Sequence, residues 1–190
     1  MDTNTQFNKK VILKKALNVF WKNGYAASSI KELSVAMEIN CSSLYYNIGN
    51  KHALFLECLA FYLDEQHNAV IKIIDKNDKP LRTIENIVEM GVKSALSDKN
   101  SSFAVKVCFE LSHDPAVIKL IRTANERFEK LLTELFEKSS LRGEIRIIDS
   151  PQIHASYFVA SFAGWRESFL LHQKPLVIKK FARILLQSLN

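Results

Sequence analysis

Glycine and proline are scarce in this chain of 190 residues, with five and four copies respectively. So little turn chemistry, set against long runs of Leu, Ile, Ala, Lys and Glu, disfavours a many-stranded sheet and favours helices. Cysteine is scarcer still. Cys41, Cys58 and Cys108 are odd in number and far apart, which excludes a disulfide framework and a zinc quartet. Five histidines, His52, His67, His113, His154 and His172, never pair closely with another ligand type, so no metal is expected and nothing asks for a cofactor. No apolar run reaches the roughly 18 residues of a membrane span. The opening MDTNTQFNKK lacks the apolar core of a signal peptide, so the expectation is a cytoplasmic protein without a membrane partner. A glycine-rich phosphate loop, a nucleophile elbow and a compact Ser/His/Asp set are all missing, and an enzyme is not expected.

What is present is an ordinary globular composition, 47% hydrophobic and 24% charged, with a formal charge of +6. The charge is uneven. Seven lysines in residues 1–52 face only Asp2, Glu32 and Glu38, a net +4, so the basic character belongs mainly to the front of the chain.

Apolar residues at three- and four-residue spacing, from Phe7 to Phe20, predict a first helix over residues 5–22. Asn23-Gly24 ends it, the glycine taking a left-handed cap and Tyr25 folding back on the apolar face. A second helix begins at Ser28-Ser29, with Ser28 read as its cap. Glu38 to Asn40 is a tight break, and Asn40 can cap a third helix over residues 41–47. Gly49-Asn50 closes that helix, and a long one follows from Lys51 to about residue 72. Three short helices in fifty residues make a compact helix-turn-helix unit, and residues 1–52 are taken as one domain. Residues 53–190 read as a larger helical body, which brings the total to about nine helices in an all-α fold. In that body, helices are expected at residues 81–96, 102–111, 115–138, 151–173 and 176–189, with Asp114 capping the third of these. Glu144 to Ile148 is a candidate extended piece.

With Leu44 on the buried side of the third helix, Ile48 falls near it, Ser42 and Tyr46 point outward, and Ser43 and Tyr45 flank them. Small hydroxyls and tyrosines with few acids nearby allow a close approach to a phosphate-lined groove. Lys51, at a helix start where its charge does little for the helix dipole, is explained by a phosphate. Double-stranded DNA is therefore the expected partner.

The residues ILKKA at 12–16, FWKNGYAASSIKEL at 20–33 and SLYYNIGNKHALF at 43–55 resemble the N-terminal domain of the TetR family of transcriptional regulators. The resemblance spans about residues 7–60, with the ELSHDP junction at residues 110–115 as a weaker echo. It implies that Ser28 and Ser29 meet phosphates at the start of the second helix and that Cys41, Ser42 and Ser43 face the groove. It further implies that Tyr45 and Tyr46 contact the DNA backbone and that Lys51 is a phosphate lysine. Four positions depart from the family pattern: Glu38 where a turn glycine is usual, Cys41 where Lys or Arg is frequent, Asn47 where His or Tyr is frequent, and Ile48 where Phe is usual. A side chain at a left-handed turn costs roughly 1 kcal/mol, and a carboxylate there opposes phosphates.

One small reader seldom supplies enough affinity, so the body is read as the dimerising part of a homodimer. Phe158, Phe162, Phe169, Phe181, Ile184 and Leu185 are its candidate interface, with Ala160, Ala163 and Gly164 allowing close approach. The resemblance also implies a small hydrophobic or amphipathic effector within the body, for which Tyr62, Phe103, Phe109, His113, His154, Tyr157 and Trp165 are candidate lining residues. The expected function is a dimeric regulator, most simply a repressor released from a palindromic operator by that effector. The alternative is a helical ligand-binding or interaction protein whose operator recognition is weak or lost.

Overall fold

The computed structural model describes residues 3–42, 46, 48–97 and 103–189. Among them are eight bounded helices: α1 (Thr3–Asn23), α2 (Ile30–Met37), α3 (Lys51–Ile74), α4 (Pro80–Ser97), α5 (Phe103–Glu110), α6 (Pro115–Leu141), α7 (Pro151–His172) and α8 (Pro175–Gln187). Cys41, Ser42 and Tyr46 are helical as well, where a ninth helix is expected. The rest of that segment, Ser43, Leu44, Tyr45 and Asn47, lies outside the described residues. No strand occurs among the described residues, so residues 144–148 are a turn and coil, not an extended piece. No helix among them is long and apolar enough to cross a membrane.

The chain forms two compact units. The first is not confined to residues 1–52: it takes in the chain up to Glu65 and also Phe103–Ile121. Its core is built from Leu13, Ala16, Leu17 and Phe20 of α1, Leu33 and Met37 of α2, Leu54, Phe55, Cys58 and Leu59 of α3, and Phe103, Val107 and Val117 from the later segment. These residues recur every three or four positions, so each helix turns one stripe inward. The rings interlock. Phe55 stands edge-on to Phe20 at 5.1 Å and to Tyr25 at 5.0 Å, and packs on Phe103 at 5.8 Å.

The second unit comprises Gln66–Ser102 and Arg122–Asn190. Its core holds Ile84 and Ile87 of α4, Leu132 and Phe136 of α6, Phe158, Phe162 and Trp165 of α7, and Ile178 and Leu185 of α8. Gly91 is required for packing here, because a Cβ at that position would stand 2.9 Å from the Phe162 ring. Ser150 caps α7 by accepting the Ile153 N–H, Pro151 opens it, and Gln173 closes it in the left-handed region at φ 51°. Pro175 then starts α8.

Candidate nucleic-acid interface

The turn between α1 and α2 is built as its sequence predicts, with one shift. Gly24 adopts φ 83°, and its N–H donates to the Phe20 carbonyl at 2.8 Å, closing α1. Tyr25 folds back and stacks on Phe20. The cap of α2, however, is Ser29 and not Ser28. The Ser29 hydroxyl accepts the Glu32 N–H at 3.1 Å, and the Glu32 carboxylate accepts the Ser29 N–H at 2.9 Å, a reciprocal capping box. Those N–H and O–H donors from Ser29, with Lys22 nearby, hold the Glu32 carboxyl below its usual range. Ser28 is buried, and its hydroxyl donates to the Gly24 carbonyl at 2.6 Å. In this conformation the Ser28 hydroxyl faces inward and has no free path to a phosphate.

At the other end of α2, Glu38 takes the left-handed conformation a glycine would take freely, at φ 59° and ψ 36°. Its N–H donates to Ser34 and Val35, and the Ile39 N–H also reaches Ser34, so the last carbonyls of α2 are satisfied. The Glu38 carboxylate is exposed but not alone: Lys15 of α1 pairs with it at 2.7 Å and holds its pKa below the ordinary value. This pair answers the objection raised by a carboxylate near phosphates, since its charge is matched within the unit. Glu38→Gly should relieve backbone strain of roughly 1 kcal/mol, partly offset by glycine's greater unfolded freedom. It also frees the Lys15 ammonium, so tighter and more salt-sensitive DNA binding is expected in an anisotropy titration. Affinity lower than wild type would show that the Glu38–Lys15 pair is needed to shape the turn.

Beyond this turn, Cys41 and Ser42 are exposed, and Tyr46 is 90% exposed. The Cys41 thiol lies 3.2 Å from the Ser34 hydroxyl, which itself donates to the Ile39 carbonyl. Ser43 and Tyr45 are outside the described residues. Asn50 caps α3 by accepting the Ala53 N–H at 2.8 Å. Lys51, half-buried at the first position of α3, donates from Nζ to the Ala26 carbonyl at 3.2 Å and lies 4.6 Å above the Tyr25 ring. An ammonium has three donors, so this anchoring leaves two for another acceptor.

A second set of contacts, which the sequence does not announce, fastens this head to residues 103–121 of the same unit. The Glu110 carboxylate accepts the N–H groups of Tyr25 at 2.9 Å and Ala26 at 2.7 Å. Lys106 donates to the Trp21 carbonyl at 3.1 Å. Asp114 caps α6 as expected, through the Ala116 and Val117 N–H groups, and its other oxygen pairs with His52 Nε2 on α3. These contacts, the His52 hydrogen bond foremost, lower the Asp114 pKa. The stabilisation they give is fully present above the unfolded carboxyl's pKa of about 3.9 and is lost as pH falls through the lower folded value. Urea midpoints of wild type and Asp114→Asn should therefore converge as pH drops below about 4. A gap that stayed constant down to acid pH would remove the Asp114 charge from the account.

The candidate effector-lining residues do not gather in one place. Tyr62 and Phe103 pack on Trp21 in the core of the first unit, whereas Phe109 is 75% exposed and His113 is exposed. In the second unit Trp165 packs on Phe162 in the core, His154 is half-buried beside Phe136, and Tyr157 is 52% exposed. Phe109 and Tyr157 thus face solvent instead of an apolar cavity. The dimer candidates divide too. Phe158, Phe162, Phe169 and Leu185 are buried in the core of their own unit and are not free to meet a second chain, whereas Phe181 and Ile184 are exposed.

A capped helix, a left-handed turn and a short exposed segment bearing Cys41, Ser42 and Tyr46 define a helix-turn-helix DNA-binding head. Residues 12–58 match the family described as bacterial regulatory proteins, tetR family. An uncharacterised HTH-type transcriptional regulator of Bacillus subtilis, YezE, is 28% identical over 76% of this chain and 74% of its own length. Among solved structures, the TetR family regulator CifR, as a cysteine mutant complexed with a 26-base-pair operator, superposes with a TM-score of 0.80 at 21% identity, covering 95% of both chains. AibR in complex with isovaleryl coenzyme A and operator DNA does so with a TM-score of 0.70 at 19% identity, covering 96% of this chain and 97% of that one. Residues 12–58 therefore carry a DNA-binding domain of the tetR type, and the described chain shares the fold of TetR family regulators.

Proposed function

We propose that this regulator binds a palindromic operator as a homodimer, represses by occupying it, and is released when a small hydrophobic or amphipathic effector enters the helical body. The observation that carries the DNA reading is the exposed segment after Glu38, which offers Cys41, Ser42 and Tyr46 to a groove while Ser29, Glu38 and Asn50 fix the helix ends around it. Dimerisation is supported by an apolar face that the second unit leaves open. On α7, Ile153, Tyr157, Ala160 and Gly164 recur every three or four residues, Leu171 follows two turns on, and all are exposed, as are Phe181 and Ile184 on α8. A Cβ on Gly164 would meet nothing within 4 Å, so the middle of this stripe can admit a second helix closely. The operator in the CifR complex and the acyl coenzyme A in the AibR complex belong to those proteins and make the same two partner classes reasonable here.

The test is selection of a duplex from random DNA, followed by anisotropy and sedimentation with the full chain. Two chains per palindromic duplex are expected, with affinity falling steeply with salt. Lys51→Ala should lower the salt slope by about one, and Tyr46→Phe should weaken all sequences alike if its hydroxyl meets phosphate. Binding no tighter than to random DNA would favour the interaction-protein reading instead.

A further inference from the structure

The second unit carries a groove of about 930 Å³ between α4 and α8, within the roughly 300–1,000 Å³ typical of small-molecule sites. Its floor is aliphatic, made by Val88, Val92 and Leu96 of α4 and by Ala182 and Leu186 of α8. Its rim is charged, and the charges are not equivalent. On the α4 side, Glu85 is paired with Arg82 at 2.8 Å and Glu89 with Lys93 at 2.9 Å, so both carboxylates are matched along their own helix. On the α8 side stand Lys179 and Arg183, one turn apart, and among the described residues neither has a carboxylate within 4.0 Å. Two unmatched cations on one wall above an aliphatic floor suit a ligand that is itself divided, with an apolar body and one anionic head. A guanidinium can take both oxygens of such a head while the ammonium one turn away adds its charge. A cationic head would meet two cations and find both carboxylates already engaged.

We propose that the α4–α8 groove binds a free amphipathic anion, its aliphatic body on the Val88, Val92 and Leu186 floor and its carboxylate or phosphate head held by Lys179 and Arg183. This site lies within the second unit alone, and its occupancy does not depend on whether an effector releases DNA.

The test is calorimetry of the full chain with dodecanoate below its micelle concentration, with dodecyl phosphate and dodecylammonium in parallel. One dodecanoate or dodecyl phosphate per chain is expected, and dodecylammonium should not bind. The exposed pair Lys179→Ala/Arg183→Ala should weaken dodecanoate at least tenfold with an unchanged thermal melt. Lys180→Ala, on the same helix but not lining the groove, should leave binding as it is. Arg183→Glu should reverse the preference between dodecanoate and dodecylammonium. Undiminished dodecanoate binding by the double variant would place the ligand elsewhere and overturn the proposal. So would equal binding of the ammonium, binding only to phosphatidylglycerol vesicles, or a change of oligomeric state in Arg183→Glu, which would make the groove a contact between copies.

Discussion

Phe55→Ala is expected to destabilise the first unit by roughly 3–5 kcal/mol, the range for removing a fully buried phenyl ring. Phe55 is wholly buried and touches three other rings, Phe20 from α1, Tyr25 from the following turn and Phe103 from α5. Deleting the ring leaves a cavity bordered by three separate segments of chain, none of which can close it without leaving its own partners. Domains of this size are commonly stable by only about 5–15 kcal/mol, so the variant should show an early melting step and little DNA binding at 37 °C. Phe55→Leu keeps most of the volume and should lose much less. A loss under about 1 kcal/mol for Phe55→Ala in urea would mean that the ring does not hold these segments together.

Glu110→Ala should have the second-largest effect, and on two readouts. Its carboxylate receives the Tyr25 and Ala26 N–H groups, the two donors that lead from α1 toward the cap of α2. Hydrogen bonds to a charged acceptor contribute about 1.5–3 kcal/mol when protected, and less here because water can reach both N–H groups, so a loss of roughly 1–2 kcal/mol is expected. DNA affinity should also fall several-fold, because a loosened turn must be ordered again when the head docks. Glu110→Gln keeps an acceptor oxygen and should recover part of both losses. Full affinity with reduced stability would separate the fastening from DNA recognition.

The helix ends of the head were legible because each is written within a few residues. Asn23-Gly24-Tyr25 contains the whole closing device of α1. The cap of α2 was misplaced by one residue because Ser28 and Ser29 are equally able to cap. The spacing from Ser29 to Glu32, serine with a glutamate three residues on, was the signal that distinguishes them. The interface face of α7 was harder. That helix is apolar almost all round, so its periodicity does not say which stripe packs inside, and the large aromatics Phe158, Phe162 and Phe169 prove to be the inward ones. Ile153, Tyr157 and Leu171, on the other stripe, are what solvent sees. Glu110, Lys106 and the His52–Asp114 pair were beyond local reading altogether, since their partners lie 85, 84, 85 and 62 residues away. The same holds for Lys15, which turns Glu38 from a repelling charge into half of an ion pair.

The closeness of Gly24 to Glu110 reaches into how this sequence can drift. A Cβ at position 24 would stand 3.0 Å from a Glu110 carboxylate oxygen, in a backbone that already disfavours side chains. Even asparagine, which tolerates left-handed backbone better than most, would push the carboxylate by a few tenths of an ångström against its two N–H donors. Position 24 is therefore constrained by Glu110, whereas Glu110 can change with Gly24 in place. A lineage that lost Glu110 would gain room for a side chain at position 24, and one that kept Glu110 would stay bound to glycine. Among relatives, a side chain at position 24 should be found only where Glu110 has been replaced, whereas glycine at position 24 should accompany either residue at position 110.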